Sequence, residues 1–535
     1  PKDAGDVGQV LSELAGYLQS PVDELLSKAK HSRGLAAFRP VLLKQDIGRD
    51  VLAAVEARRV DLPGVSVQVR LRRNYLYGMN AAHVIGYLGE VSLEELKSGD
   101  HPGLRSGDAI GKFGVERTYE DYLRGEPGGR QVEVNANGQI MRVLQTVSPR
   151  PGRNVFLTID RELQQRTEEL LEGVPGAAVA VDPSNGHVLA LASAPGFNQN
   201  LFVSGIAPDA WESLISNPFR PLENKAIQGE YPPGSTFKIV TALAGLEEKA
   251  IDETTVFDCA GSLHFAGRDY RCWKKEGHGR VDVRRALAES CDVFFYRTGQ
   301  RLGVDRLAWY AKAFGLGART GIGLDQEARG LIPSSAWKKK RYGVPWQEGE
   351  TLSVSIGQGY VLATPLQMAM LTAAVGNGGI RRRPQILQRV ETVEGDVIFQ
   401  AAQQEAGRLP VSPRTLKIVQ EGIWSAVNGE RGTARRVHLP DIEIAGKTGT
   451  SQVIGRKDGG DDYTPPHLRP HAWFVCYAPA GAPRLAVAVV VENGEHGSSA
   501  AGPIAREMVR TYLRNVPDAQ RLAGEGVKVT IGGNG

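Results

Sequence analysis

Tyr231-Pro232-Pro233-Gly234-Ser235-Thr236-Phe237-Lys238-Ile239-Val240 reads as a turn that runs into a helix. Pro-Pro-Gly breaks regular structure, and Thr241-Ala242-Leu243-Ala244-Gly245 continues helically beyond it. Residues three apart share a helix face, so the spacing brings the Ser235 hydroxyl and the Lys238 amine within reach of each other. A hydroxyl is a poor nucleophile until a base takes its proton, and a lysine is that base only if burial or a neighbouring cation lowers its hold on its own proton. Backbone N–H groups at the helix start can also stabilise an oxyanion. Ser-x-x-Lys alone is a weak signal, since a capped helix with a solvated lysine produces it equally well.

Two further segments change that weighting. Ser290-Cys291-Asp292 follows a helical stretch, Val281–Glu289, and offers a second hydroxyl and a carboxyl on a short loop, suited to relaying a proton. Taken alone it is a helix-end turn with local side-chain to backbone bonds. Gly446-Lys447-Thr448-Gly449-Thr450 follows Ile442-Glu443-Ile444 and reads as a strand. Thr448 and Thr450 then share one face, where two hydroxyls suit a ligand carboxylate, and Lys447 takes the other. Gly449 admits a close neighbour, and the Thr450 N–H is a candidate second oxyanion donor. Ser-x-x-Lys, Ser-x-Asp and Lys-Thr-Gly in this order form a serine acyl-transfer set.

Outward from these motifs, Ser148-Pro149-Arg150-Pro151-Gly152 is a break followed by a β-rich run, Val155–Ile159, and the main boundary is predicted there. Residues 1–148 form a first domain of mixed type, with helical spacing over Val7–Leu18 and Asp46–Val60 and strand-like alternation over Val65–Leu71. In the second domain, 149–523, Ala177–Val181 and Val188–Ser193 flank a hairpin signal, Asp182-Pro183-Ser184-Asn185-Gly186. Arg484–Glu492 is an apolar strand and Pro503–Leu513 an amphipathic helix. Strands at both ends of the domain with helices between them predict an α+β fold whose first and last strands pair. Residues 524–535 are a Gly-rich tail, expected to be loose. The formal net charge of +4 over 535 residues gives no reason to expect nucleic acid. The four cysteines exclude a disulfide-dense scaffold, and no apolar run approaches the ~20 residues of a membrane span.

The chain resembles the class B penicillin-binding proteins, most of all the elongation type, over nearly its whole length. Besides the three motifs, the resemblance rests on Arg73-Asn74-Tyr75, His83-Val84-Ile85-Gly86-Tyr87, Gly111–Glu116, Asn224-Lys225-Ala226, Gly357-Gln358-Gly359, His471–Phe474 and Val491–Gly494. It implies a serine β-lactamase/transpeptidase-like domain, an antiparallel sheet flanked by helices, behind an N-terminal pedestal of dimerisation type. By resemblance Ser235 is the acylated nucleophile, Lys238 its base, Ser290 and Lys447 the route of the proton to departing D-alanine, and Thr448, Gly449 and Thr450 the substrate cradle. Asp292 stands where Asn is usual, as in some elongation-type members; its carboxylate could pair with Lys238 or Lys447 and raise their hold on the proton, which leaves the proton route open. The resemblance also implies peptidoglycan stem peptides as substrates, β-lactams as inhibitors, and a SEDS-type glycosyltransferase with the elongation machinery as partners. It further implies an N-terminal membrane helix, absent from this chain, and a catalytic domain in the periplasm at the bacterial inner membrane. The rival readings are a β-lactamase, a D,D-carboxypeptidase and a non-catalytic activator of a glycosyltransferase.

Cys272, His278 and Cys291, with Asp258 upstream, have the character of a structural zinc site. Elongation-type relatives are thought to hold zinc in this segment, beside the active site. Cys259 could stand in for Asp258 as a ligand, and the alternatives to a metal are a Cys259–Cys272 disulfide and a Cys291 that simply fills the core.

Overall fold

The computed structural model describes residues 4–31, 41–68, 72–100, 102–105, 107–135, 140–203, 205–452 and 465–514. The tail at 524–535 lies outside them. The chain divides into two units: Pro1–Asn74 with Gly125–Pro151 and Val203–Gly205, and Tyr75–Arg124 with Gly152–Phe202 and Ile206–Gly535. The predicted boundary at 148/149 falls where the Gly125–Pro151 stretch of the first unit ends. A single cut there does not describe the chain, however, because 75–124 folds with the second unit.

In the first unit, Val7–Leu18 is helical as predicted. Asp6 caps it by accepting from the N–H groups of Gly8 and Gln9, satisfying two donors that a helix start leaves free. Its apolar stripe, Val10, Leu11, Leu14 and Leu18, packs on Leu25, Val55 and Leu62. The helix predicted at 46–60 is shorter, Arg49–Ala57. The strand predicted at Val65–Leu71 is irregular over 65–68, and the rest of it lies outside the described residues. Gly129–Val134 and Ile140–Val147 pair as an antiparallel ribbon.

Backbone contacts explain why 75–124 belongs to the second unit. The Gln199 amide donates to the Gly86 carbonyl at 2.8 Å, and Asp325 Oδ1 accepts from the Gly114 N–H at 3.0 Å. The Asn224 side chain donates to the His83 carbonyl at 3.1 Å, and the His83 ring donates through Nε2 to the Pro221 carbonyl at 2.7 Å.

The second unit is built on a five-stranded antiparallel sheet: β1 (Gly176–Val181), β2 (Val188–Ala194), β3 (Ala445–Ser451), β4 (His471–Ala478) and β5 (Leu485–Val491), in the order β3-β4-β5-β1-β2. The first and last strands pair, Val181 opposite Ala486 and Gly176 opposite Val491, as the strand-rich ends of the domain predict. Alternation divides the strands between two cores. Val179, Val475, Tyr477 and Ala488 face one side, packed against α1 (Lys238–Glu247), α2 (Val283–Ala288), α3 (Asp292–Leu302), α4 (Pro365–Gly376) and α5 (Pro413–Asn428). Ala178, Phe474, Cys476 and Val487 face the other, against α6 (Ala501–Arg514). This is the predicted α+β architecture, and it leaves β3 as an edge strand bearing the Lys-Thr-Gly motif.

His83 carries a pH dependence. It is buried, and burial, aided by the Lys225 charge and opposed by the Pro221 hydrogen bond, pushes its pKa down to about 4. The unfolded ring titrates near 6.5. Between those values the unfolded chain binds the extra proton, so stability from this group is complete above pH ~6.5 and is lost as pH falls towards 4, about 3 kcal/mol in all. His83→Gln keeps a donor for Pro221 and removes the titration. Urea unfolding at pH 7 and pH 4.5 is expected to show a smaller stability loss in the variant than in the wild type, by about 2 kcal/mol; equal losses would contradict a neutral buried His83.

Candidate active site

The nucleophile turn is not the start of a regular α-helix. Gly234–Phe237 is a 3-10 turn, and α1 begins at Lys238. Gly234 has φ +55°, and a Cβ on it would lie 2.5 Å from the Thr450 carbonyl oxygen. Its N–H donates to the Gly357 carbonyl at 2.9 Å. A Cβ on Gly449 would meet the Pro233 carbonyl at 2.9 Å. Backbone therefore packs directly on backbone, and that proximity brings the Ser235 turn against β3. Gln358 fastens the same edge, donating to the Thr450 carbonyl at 3.0 Å and accepting from the Gln452 N–H at 3.3 Å. The Thr450 carbonyl points towards Gly234, and in an extended strand a residue's N–H points the same way as its carbonyl. The Thr450 N–H thus faces the cleft, in the orientation an oxyanion donor needs.

Lys238 and Lys447 are both fully buried, and the Ser290 hydroxyl lies between them, 3.2 Å from Lys238 Nζ and 2.8 Å from Lys447 Nζ. Lys238 also donates to the Ser290 carbonyl at 2.8 Å and to Asp292 Oδ1 at 2.6 Å. Among the described residues no hydrogen bond joins Lys238 to Ser235; the amine is turned to the Ser290–Asp292 loop. Ser290 has φ +57°, an uncommon conformation for a residue with a side chain, held here by the contacts of its hydroxyl and carbonyl with the two lysines. Burial, then the Lys238 charge, holds Lys447 well below the ordinary lysine range, with Asp292 opposing. Burial raises the Asp292 carboxyl, opposed by its ion pair with Lys238. Two lysines and one carboxylate share this pocket, so Lys447 is the amine poised to give up its proton. Thr448 and Thr450 are half-buried on the open face of β3, opposite Lys447, as alternation requires.

Behind Ser290, Cys259, Cys272, His278 and Cys291 bring four ligand atoms within 4.8 Å of one another, all buried. Asp258, the expected fourth member, is exposed on the other face of its strand, because neighbouring strand residues point opposite ways. Cys259 takes its place. No disulfide joins Cys259 to Cys272. His278 Nδ1 lies 3.6 Å from both the Cys259 and Cys272 sulfurs. A tetrahedral centre with bonds of about 2.3 Å to sulfur and 2.0 Å to nitrogen separates such atoms by about 3.6 Å, so these residues fit zinc. A hydrogen bond from Cys291, with His278 assisting, holds Cys272 far below the ordinary thiol range despite its burial, and Cys291 is correspondingly raised.

Several contributors carry no catalytic motif. Trp273 ties the cysteine cluster to the Ser290 loop, its backbone N–H donating to Asp292 Oδ2 at 2.9 Å and its indole to the Glu289 carbonyl at 3.0 Å. Its position beside Cys272 is the signal that marks it. Lys225, fully buried, donates to Glu492 at 2.8 Å, and Glu492 accepts from the Tyr231 hydroxyl at 2.7 Å. Two of the conserved-looking segments of the sequence thus meet behind the nucleophile turn. Thr433 lies 3.1 Å from the Thr448 hydroxyl, and no sequence pattern singles it out.

The chain matches two family models: the penicillin binding protein transpeptidase domain over residues 176–510, and the penicillin-binding protein dimerisation domain over residues 1–157. The peptidoglycan D,D-transpeptidase MrdA of Haemophilus influenzae is 36% identical over 537 residues, 97% of this chain and 82% of that protein. Among solved structures, Helicobacter pylori PBP2 in complex with MreC is 29% identical with a TM-score of 0.83, covering 96% of this chain and 92% of that one. Pseudomonas aeruginosa PBP2 in complex with WCK 5153 is 36% identical with a TM-score of 0.71, covering 83% and 91%.

The backbone packing at Gly234 is directly testable. Gly234→Ala places a methyl against the Thr450 carbonyl in a left-handed conformation. Because displacing a reacting group by about 1 Å costs about 100-fold, acylation by a penicillin is expected to slow by about that factor while the protein stays folded by circular dichroism. An unchanged rate would show that the turn does not depend on this approach.

Proposed function

Because the chain belongs to the class B penicillin-binding proteins, we infer that it is a serine peptidoglycan D,D-transpeptidase acting in cell elongation and a target of β-lactams. The observation that carries this reading is that the turn bearing Ser235 packs on the Thr450 edge of β3, whose Lys447 meets Ser290 and, through it, Lys238. Ser235 Oγ attacks the carbonyl of the penultimate D-alanine of a stem peptide, and its proton passes to the lysine–Ser290 cluster. The Thr450 N–H faces the developing oxyanion, and the Thr448 and Thr450 hydroxyls hold the terminal carboxylate. Collapse of the tetrahedral species breaks the amide bond and expels D-alanine, whose nitrogen takes a proton by way of Ser290. The amine of a neighbouring stem peptide then attacks the acyl-serine and restores the Ser235 hydroxyl. A β-lactam enters by the same attack, but its leaving group stays tethered.

Zinc held by Cys259, Cys272, His278 and Cys291 is structural in this reading: it fixes the loop that carries Ser290 and performs no chemical step. Membrane anchoring, a periplasmic location, and partnership with a SEDS-type glycosyltransferase and an MreC-like scaffold are part of the same proposal. Relatives support the partnerships, since PBP2 of Helicobacter pylori is found with MreC and another relative in a peptidoglycan synthase complex.

Two measurements test this reading. Intact mass after incubation with a penicillin is expected to show one adduct lasting hours, mapped to Ser235 and absent from Ser235→Ala; release in milliseconds would instead indicate a β-lactamase. Metal analysis is expected to find one zinc per chain, with Cys272→Ser losing it and melting at lower temperature. Metal-free protein with Cys259 bonded to Cys272 would end the zinc assignment.

A further inference from the structure

We propose that Thr433 is a positioning residue that, by donating to Thr448 Oγ1, aims the Thr448 hydroxyl proton at the substrate's terminal carboxylate, and so strengthens the preference for donors ending in a free acid. This rests on the reading of Thr448 given above.

Thr433 stands on the loop after α5, where its position is heavily determined. Gly432 approaches the end of α5 so closely that a Cβ would lie 2.2 Å from the Ala426 carbonyl oxygen. The next N–H groups are both engaged: Thr433 donates to the Ala288 carbonyl at 3.1 Å and Ala434 to the Ala426 carbonyl at 2.9 Å. Ala288 ends α2, two residues before Ser290, so the loop is fastened to the same element that leads into the central motif. The Thr433 side chain is half-buried, with its Oγ1 3.1 Å from Thr448 Oγ1 and 3.3 Å from the Ala288 carbonyl oxygen.

A hydroxyl has one proton to give and two lone pairs to receive. With its own proton on Ala288, Thr433 can only accept from Thr448, and the Thr448 proton is spent. A carboxylate accepts and never donates, so it needs that proton. Turning the Thr433 hydroxyl by rotation about one bond moves its proton from Ala288 to Thr448 Oγ1. Thr448 becomes an acceptor from Thr433 and points its own proton into the cleft. Ala288 is not orphaned by the exchange, because it keeps the Thr433 backbone N–H at 3.1 Å. A side chain at position 433 without a hydroxyl does not compete for the Thr448 proton, but it removes the donor that fixes the Thr448 rotor with that proton in the cleft.

The test uses two thioester donors identical except that one ends in a carboxylate and the other in the corresponding carboxamide. Acylation of Ser235 by each is followed by quenched-flow mass spectrometry. Thr433→Val keeps the shape and removes the hydroxyl. It is expected to slow the carboxylate donor about tenfold, the worth of one hydrogen bond to a charged group, and the carboxamide donor less than twofold. Thr433→Ser, which restores the hydroxyl, is expected to recover most of the lost rate. Equal slowing of both donors, no slowing of either, or failure of the serine variant to recover would each overturn the assignment, since a merely structural role lowers both donors together. Wild-type protein that fails to prefer the carboxylate donor would refute the role of Thr448 itself, and wild-type protein that neither donor acylates would refute the acyl-transfer reading.

Discussion

The close approach of the Gly234 turn to the Thr450 carbonyl holds the functional part of this protein together. No side chain fits between the two backbones, so the distance from the turn bearing Ser235 to the edge of β3 is set by main-chain geometry. Side-chain contacts then reinforce the arrangement. Gln358 fastens the strand edge, Gly357 receives the turn, and the Lys225–Glu492–Tyr231 chain anchors the residues before it. Main-chain positioning of this kind costs little reorganisation when charge develops, which is the condition under which oriented dipoles are most effective.

The charge arrangement follows from burying two amines around one hydroxyl. An isolated buried ammonium is costly, and here a single carboxylate, Asp292, directly pairs with Lys238 alone. Lys447 is left to lower its proton affinity, and Ser290 connects the pair. An Asn in place of Asp292 would leave both lysines without a carboxylate, so the aspartate in this chain gives the two amines different characters. The cysteine–histidine cluster bears on the same point from behind. Cys291 lies between Ser290 and Asp292 in sequence, and Trp273 ties Cys272's neighbour to Asp292, so whatever holds the cluster rigid also holds the proton-carrying residues.

Much of this is legible in the sequence, for reasons that can be named. Unbroken apolar runs over Ala177–Val181 and Leu485–Val491 and the turn between the first two strands locate the sheet, because burial on both faces leaves no polar positions. The three motifs are legible because each is short and local. The register errors are equally instructive. Asp258 and Cys259 differ by one residue, and in a strand one residue decides which face a ligand occupies, so composition cannot choose between them. The segment 75–124 has no compositional break from its surroundings; its place in the second unit depends on contacts such as Gln199 with the Gly86 carbonyl and Asp325 with the Gly114 N–H, which no periodicity announces. Thr433 is invisible for the same reason, its partner being fixed by two long-range loop contacts. The turn of Ser235 away from α-helical geometry was also out of reach, because Pro-Pro-Gly is compatible with either start.

The pairing of β1 with β5 has a consequence for how the protein comes into being. The two strands that close the sheet are separated by nearly the whole catalytic domain, and β3 and β4 can take their places only once β5 has joined β1. Contacts of such sequence separation form late, because their loop entropy must be overcome first. A nascent chain emerging amino end first therefore displays the Ser235 helix long before the strand that completes its cleft exists. The cleft beside Ser235 is therefore completed only by elements from the last part of the domain to be made.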